Sequence, residues 1–164
     1  MRTDTIEVMG VRGLPLIQKG DDLASLISSL VELRDGDIVC IASSVCSKAK
    51  GHTRSLQDIT PGDKARKIAA RTNEDPRFIQ AVLDESADVL LEYPFVLSVL
   101  PFGHVGVRAG VDQSNIGDEM VILLPPDPME AARELRSRFK EVAGKTVNVI
   151  ITDTCGRSFR RGQT

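Results

Sequence analysis

Two aspartates stand where a divalent cation would want oxygen. Asp112 follows Gly110 in the turn Gly110-Val-Asp-Gln-Ser-Asn115, and Asp153 stands just past an apolar run, beside the hydroxyl of Thr154. Carboxylates with hydroxyl and amide neighbours are the hard-oxygen groups that Mg²⁺ or Mn²⁺ bound to phosphates prefers. The carboxyl ends of strands are also where open α/β sheets hold ligands. The plainer reading is local: Asp112 closes an Asx-turn and Asp153 caps the following segment. Ser43 and Ser44 end another apolar run with Lys48 four residues on. Hydroxyls at a strand end plus an ammonium suit phosphate, and equally suit a helix cap with an exposed lysine. The densest constellation is Thr152-Asp-Thr-Cys-Gly-Arg-Ser-Phe-Arg-Arg-Gly-Gln163, where Arg157, Arg160 and Arg161 lie between Gly156 and Gly162. Arginine forks and glycine-exposed amides together suit an anionic ligand, whereas a solvated basic tail or a weak nucleic-acid contact needs only the charge.

Other motifs fall away on inspection. Gly144-Lys145-Thr146 ends like a phosphate-binding loop, but the required glycine five residues earlier is Phe139. A helix C-cap at Gly144 explains it. Gly103, Gly106 and Gly110 lack dinucleotide spacing and mark strand turns or bulges. Cys40, Cys46 and Cys155 are an odd set without metal spacing, and Cys40 reads as a small buried hydrophobe. His52 and His104 have no evident partners, and Ser98 and Ser114 lack the strained turn of a serine nucleophile.

These residues need a scaffold, and the chain supplies one. It has 164 residues with 21 Lys+Arg against 23 Asp+Glu, a net charge of −2 that excludes a generally basic nucleic-acid coat. With 41% hydrophobic residues it has enough apolar material for one domain. Only 4% of residues are aromatic, too few for a single-strand stacking surface. Val89 to Phe102 is broken by Glu92, Pro94 and Pro101 and cannot span a bilayer. Asp4 and Glu7 precede any apolar stretch, so no signal peptide is visible, and a cytoplasmic protein is expected.

Leu23, Leu26, Ile27, Leu30 and Val31 recur at helical spacing behind Asp21-Asp22, predicting a helix stopped near Gly36. Asp37 to Ala42 reads as a short strand buried on both faces, followed by a polar stretch to Thr60. Thr60-Pro61 and Asp75-Pro76 are two helix starts. Val89–Tyr93, Val96–Leu100, Val105–Ala109 and Glu119–Leu124 read as strands, Met129–Ala143 as an amphipathic helix and Thr146–Thr152 as a last strand. The expectation is a mixed α/β (α+β) domain over 1–164, with a mixed β-sheet and flanking helices. A finish at Gly162-Gln163-Thr164, straight after a strand and a Gly/Arg loop, suggests a product that ends early.

Taken together, Gly13-Leu-Pro-Leu-Ile-x-x-Gly-Asp-Asp-Leu23, Ser43-Ser-x-x-Ser-Lys48, Gly110-Val-Asp-x-Ser-Asn115 and Thr152-Asp-Thr-x-Gly-Arg157 resemble the coenzyme F-420-0:L-glutamate ligase family, also called γ-glutamyl ligase. The resemblance runs from about Ile6 to the last residue. It implies a GTP-dependent enzyme that joins L-glutamate to a deazaflavin coenzyme precursor by an amide bond, then extends the tail through γ-linkages by way of an acyl phosphate. It implies Mg²⁺ or Mn²⁺ and K⁺ as cofactors, a two-lobed mixed α/β fold and a homodimer. Carried over residue by residue, nucleotide contacts fall on Leu14, Pro15, Leu16, Ile17, Ser43, Ser44, Lys48 and Asn115, and metal ligands on Asp112, Asp153 and Thr154. Arg157 and Arg160 would face anionic groups. The chain departs from the family pattern at Cys155, Ser158 and Phe159. Members continue past this C-terminus, so part of the site is expected to be missing. The alternatives are a non-catalytic nucleotide-binding fragment of such an enzyme and a nucleic-acid module built on the arginine loop.

Overall fold

A computed structural model describes residues 5–153 of the chain. The elements in order are α1 (Leu23–Leu30), β1 (Ile38–Ala42), α2 (Ser43–Lys50), β2 (Thr53–Ser55), α3 (Asp63–Thr72), α4 (Pro76–Asp84), β3 (Asp88–Leu91), β4 (Leu97–Val99), β5 (Val105–Val107), β6 (Met120–Ile122), α5 (Pro128–Ala143) and β7 (Asn148–Thr152). The expected mixed α and β composition is present. Its parallel and antiparallel pairs occupy separate sheets: β1–β7 parallel, β2–β6 antiparallel, and β3–β4–β5 antiparallel throughout. Among the described residues no helix is long and apolar enough to cross a membrane.

Two clusters of buried side chains hold these pieces. One joins α1, β1, α2 and α5 through Leu23, Ile27, Val39, Ile41, Cys46 and Phe139. The other joins α3, α4, β6 and the residue leading into β4 through Ile68, Phe78, Ile79, Val82, Val96 and Val121. Each large apolar side chain so buried contributes roughly 1.5–3 kcal/mol.

Local chemistry explains most boundaries. Asp22, Asp75 and Asp127 each cap a helix by accepting an amide of the first turn, and Pro76 and Pro128 occupy first helical positions where no donor is needed. Gly144 ends α5 in the left-handed conformation at φ 67°, as a C-cap should.

Four expectations are corrected. The first helix stops at Leu30 rather than near Gly36, because Val31 turns extended and Leu33 then reaches the core. The third helix begins at Asp63 with Gly62 at its cap rather than at Thr60, and the Gly62 amide donates to Gln80 Oε1 at 2.9 Å. The polar stretch after Ala42 contains a helix, α2, whose buried face is made of the small residues Ser43, Cys46, Ser47 and Ala49. Finally, β1 is buried on one face only, since α1 and α5 cover just one side of the two-stranded sheet. Ile38, Cys40 and Ala42 face outward, so Cys40 is exposed rather than buried.

Candidate functional site

The parallel pair β1–β7 sets the site. Its register places Ala42 opposite Thr152 at the carboxyl ends of both strands. The next residues, Ser43 and Asp153, therefore emerge side by side, and the Ser43 hydroxyl donates to Asp153 Oδ1 at 2.7 Å across 110 positions of sequence. Ser43 is also the first residue of α2. Its cap position is Ala42, and no side chain caps that first turn among the described residues. The amides at this helix start thus face the strand ends with the positive end of the helix dipole behind them.

The second wall comes from the other half. Asp112 is locked in place by main-chain pairing with Ile122 in both directions, at 3.0 and 2.7 Å. Its carboxylate accepts the Ser114 amide at 2.8 Å and the Ser114 hydroxyl. This is an Asx-turn, as the plainer sequence reading expects. The turn leaves the carboxylate on the lining of a cleft of about 710 Å³ that also contains Ser43, Ser44, Ser114 and Asp153. A cleft of that size falls in the ordinary range for small-molecule sites. Lys48 sits one helical turn beyond Ser44, and its ammonium donates to the main-chain carbonyl of Asn115, itself at φ 56°.

The segment leading into Asp112 is strained. Arg108, Ala109 and Gly110 all adopt left-handed conformations, at φ 54°, 50° and 68°. For the two residues with side chains this costs about 1–2 kcal/mol each. The turn is held by burial of Ala109, by the ion pair of Arg108 with Glu74, and by the guanidinium lying 5.7 Å from the Phe78 ring centre. Conformations of this kind persist only where surrounding structure over-determines them.

The structure thus brings together Ser43, Ser44, Asp112 and Asp153, with Lys48 joined to Asn115 nearby. It does not bring Leu14, Pro15, Leu16 and Ile17 onto the cleft lining. Leu14 and Ile17 pack against the α1 cluster, and Leu16 is 90% exposed. Thr154, Arg157 and Arg160 lie outside the described residues. Sequence reasoning assigned no role to Arg108 or Phe102 and set Ser114 and His104 aside, yet all four are on the cleft lining. Only Ser114 had a signal, as the hydroxyl two positions after a turn aspartate. Cys46 offers no nucleophile, because burial pushes its thiol up to about 11.

The donor set is suited to a hard cation. Among the described residues no three His, Cys, Asp or Glu side chains cluster as a metal cage. Two carboxylates with two serine hydroxyls on one cleft nevertheless fit Mg²⁺ or Mn²⁺, which take one or two protein carboxylates and complete their shell with phosphate and water.

Comparison with known proteins identifies one family. The family model described as F420-0:Gamma-glutamyl ligase matches residues 11–164. A "Coenzyme F420:L-glutamate ligase" of Archaeoglobus fulgidus is 52% identical over 157 residues, covering 96% of this chain and 63% of the relative. The proteins of the same name from Methanosarcina acetivorans and Haloarcula marismortui are 49% and 45% identical, again over 96% of this chain and over 62% and 64% of theirs. The chain therefore spans just under two-thirds of the length of these curated relatives. With the family match running through nearly the whole sequence, the chain belongs to the F420-0:γ-glutamyl ligase family.

Proposed function

We propose that this chain carries the nucleotide- and metal-binding part of a GTP-dependent ligase that joins L-glutamate to a deazaflavin coenzyme precursor, first by an amide and then by γ-glutamyl bonds. The observation that carries the proposal is the cleft uniting Ser43, Ser44, Asp112 and Asp153 in a member of this family. The glutamate substrate is supported by the printed name of the relatives.

Joining an ionised carboxylate to an amine in water needs an activated acid. In the proposed sequence an oxygen of the precursor carboxylate attacks the γ-phosphorus of GTP, the bond to the β-phosphate oxygen breaks, and GDP leaves. The amine of glutamate, having lost a proton, then attacks the acyl phosphate carbonyl and expels inorganic phosphate. Phosphoryl transfer of this kind depends on positioning and charge neutralisation more than on covalent help. The first-turn amides of α2 with Ser43 and Ser44 would cradle phosphate oxygens, and Lys48 would offset their charge. Asp112 and Asp153, with Thr154, would hold Mg²⁺ or Mn²⁺, which supplies neutralisation of the triphosphate. Ser43 orients Asp153 for that task through its 2.7 Å hydrogen bond. Asn115 and the Leu14–Ile17 segment are proposed to meet the nucleoside, Arg157 and Arg160 to meet anionic groups, and K⁺ to complete the ion requirement. A homodimer belongs to the same proposal, supported by the exposed apolar side chains of Ile6, Val8 and Leu16, which a second chain would cover.

The share of its relatives' length that the chain spans supports a second reading, a fragment that binds nucleotide without turnover. Incubation with GTP, L-glutamate, Mg²⁺ and the precursor separates the two. A mass gain of one or more glutamyl residues, matched by GDP formation, supports the ligase. Metal-dependent GTP binding without product selects the fragment, and the absence of both refutes both.

A further inference from the structure

The cleft has an apolar rim that phosphate chemistry does not use. It is the hairpin between β4 and β5, closed by the Leu100 amide donating to the His104 carbonyl at 2.7 Å and the Gly103 amide to the Leu100 carbonyl at 2.8 Å. Gly103 makes this tight turn possible at φ 84°. The turn sets Phe102 and His104 side by side, with ring centres 6.4 Å apart and planes only 24° from parallel. Both side chains line the cleft that holds Ser43, Asp112 and Asp153.

The exposure of Phe102 is not explained by packing. The chain has five phenylalanines and no tryptophan, and the core takes Phe78 and Phe139, while Phe102 remains 42% exposed. An apolar ring left in water at a cleft mouth, nearly parallel to a second ring, is a surface for a flat aromatic ligand. The cleft lining therefore carries two chemistries, oxygen ligands beside helix amides and a pair of rings.

We propose that Phe102 and His104 form a stacking platform for the planar heteroaromatic ring of a ligand, and that the ring is the deazaflavin of the precursor; this rests on the ligase reading above. The purine of the nucleotide is the other source of such a ring. It is disfavoured because Asn115 and the Leu14–Ile17 segment, which that reading gives to the nucleoside, do not line this rim. A ring held at Phe102 leaves the precursor's carboxylate tail to run along the same cleft toward Asp112 and Asp153.

The test is a titration of the full 164-residue chain with the precursor, read by the ring's own fluorescence, alongside calorimetric titration with GTP and Mn²⁺. Phe102→Ala is expected to weaken the precursor about tenfold, in line with the loss of one stacking partner, and to leave GTP affinity within twofold. Phe102→Tyr is expected to restore binding. Tyr93→Ala, which removes an aromatic that is exposed but off the cleft lining, is expected to change neither. Unchanged precursor affinity in Phe102→Ala, or a loss of GTP affinity instead, overturns the proposal. A wild-type chain that binds GTP but not the precursor overturns this proposal alone, and one that binds neither overturns the ligase reading with it.

Discussion

The contact between Asp22 and Arg138 allows a worked prediction of stability against pH. Asp22 caps α1 by accepting the Ser25 amide at 3.2 Å and the Ser25 hydroxyl at 2.7 Å. It also receives Nε and Nη2 of Arg138 on α5, at 2.9 and 2.8 Å, and so ties two helices that cover the β1–β7 sheet. The Arg138 hydrogen bond, helped by Ser25, holds the Asp22 carboxyl at about 2, below its ordinary 3.8. At full strength that difference corresponds to about 2.4 kcal/mol. The Asp22 and Arg138 side chains are 33% and 48% exposed, so solvent screening reduces the contribution to about 1 kcal/mol. Asp22→Asn keeps a capping oxygen and loses only the charge, so it should cost about 1 kcal/mol at pH 7. Asp22→Ala should lose the cap as well, for a total of about 2 kcal/mol. For a chain of this size those losses lower the melting temperature by about 2–4 °C and 4–8 °C. Because the folded value lies below the unfolded one, the stabilisation is complete above the unfolded value and is lost as pH falls from 3.8 toward 2. By pH 3 about half of it should remain. Urea denaturation of wild type and Asp22→Asn at pH 7 and pH 3 measures this directly. A deficit in Asp22→Asn that is the same at both pH values, or is absent at pH 7, refutes the reasoning.

Three further outcomes follow from packing and exposure. Phe139→Ala should destabilise the chain by about 3–5 kcal/mol in urea unfolding, since Phe139 is fully buried among α1, β1 and α5 and its removal opens a cavity. Gly110→Ala should cost about 2 kcal/mol by the same assay, because a Cβ there would lie 2.3 Å from a Leu124 methyl in addition to the left-handed strain. Gly36→Ala, also left-handed but in open space, should cost only about 1 kcal/mol. Thiol alkylation at neutral pH, mapped by peptide mass, should label exposed Cys40 and spare buried Cys46 until the protein unfolds.

What could be read from the sequence depended on how much of each element's environment was local. α4 carries its own cap and α5 its own apolar stripe, so Asp75-Pro76 announced the one and the amphipathic spacing over Met129–Ala143 the other. α2 was hidden because it packs through small residues: Ser43, Cys46, Ser47 and Ala49 bury a face that has no apolar period. β1 looked buried on both sides because Ile38, Val39, Cys40 and Ile41 are all apolar, and only the tertiary arrangement decides that one face stays open. The two candidate carboxylates were legible as strand-end and turn residues. The approach of Asp153 to Ser43 across the β1–β7 register was not, since it is a property of pairing between strands more than 100 residues apart. Phe102 and His104 escaped for the same reason: nothing in Pro101-Phe-Gly-His104 says that the hairpin tip reaches a cleft built by other elements.

The proposed function requires Asp112 and Ser43 to belong to one nucleotide–metal site. Calorimetric titration of the chain with GTP, with and without Mn²⁺, for wild type, Asp112→Asn and Ser43→Ala, measures it. GTP binding is expected to require Mn²⁺ in the wild type and to weaken at least tenfold in Asp112→Asn, with a smaller loss in Ser43→Ala. Metal-dependent GTP binding that is indifferent to both substitutions would contradict the proposed function, as would the absence of GTP binding in the wild type.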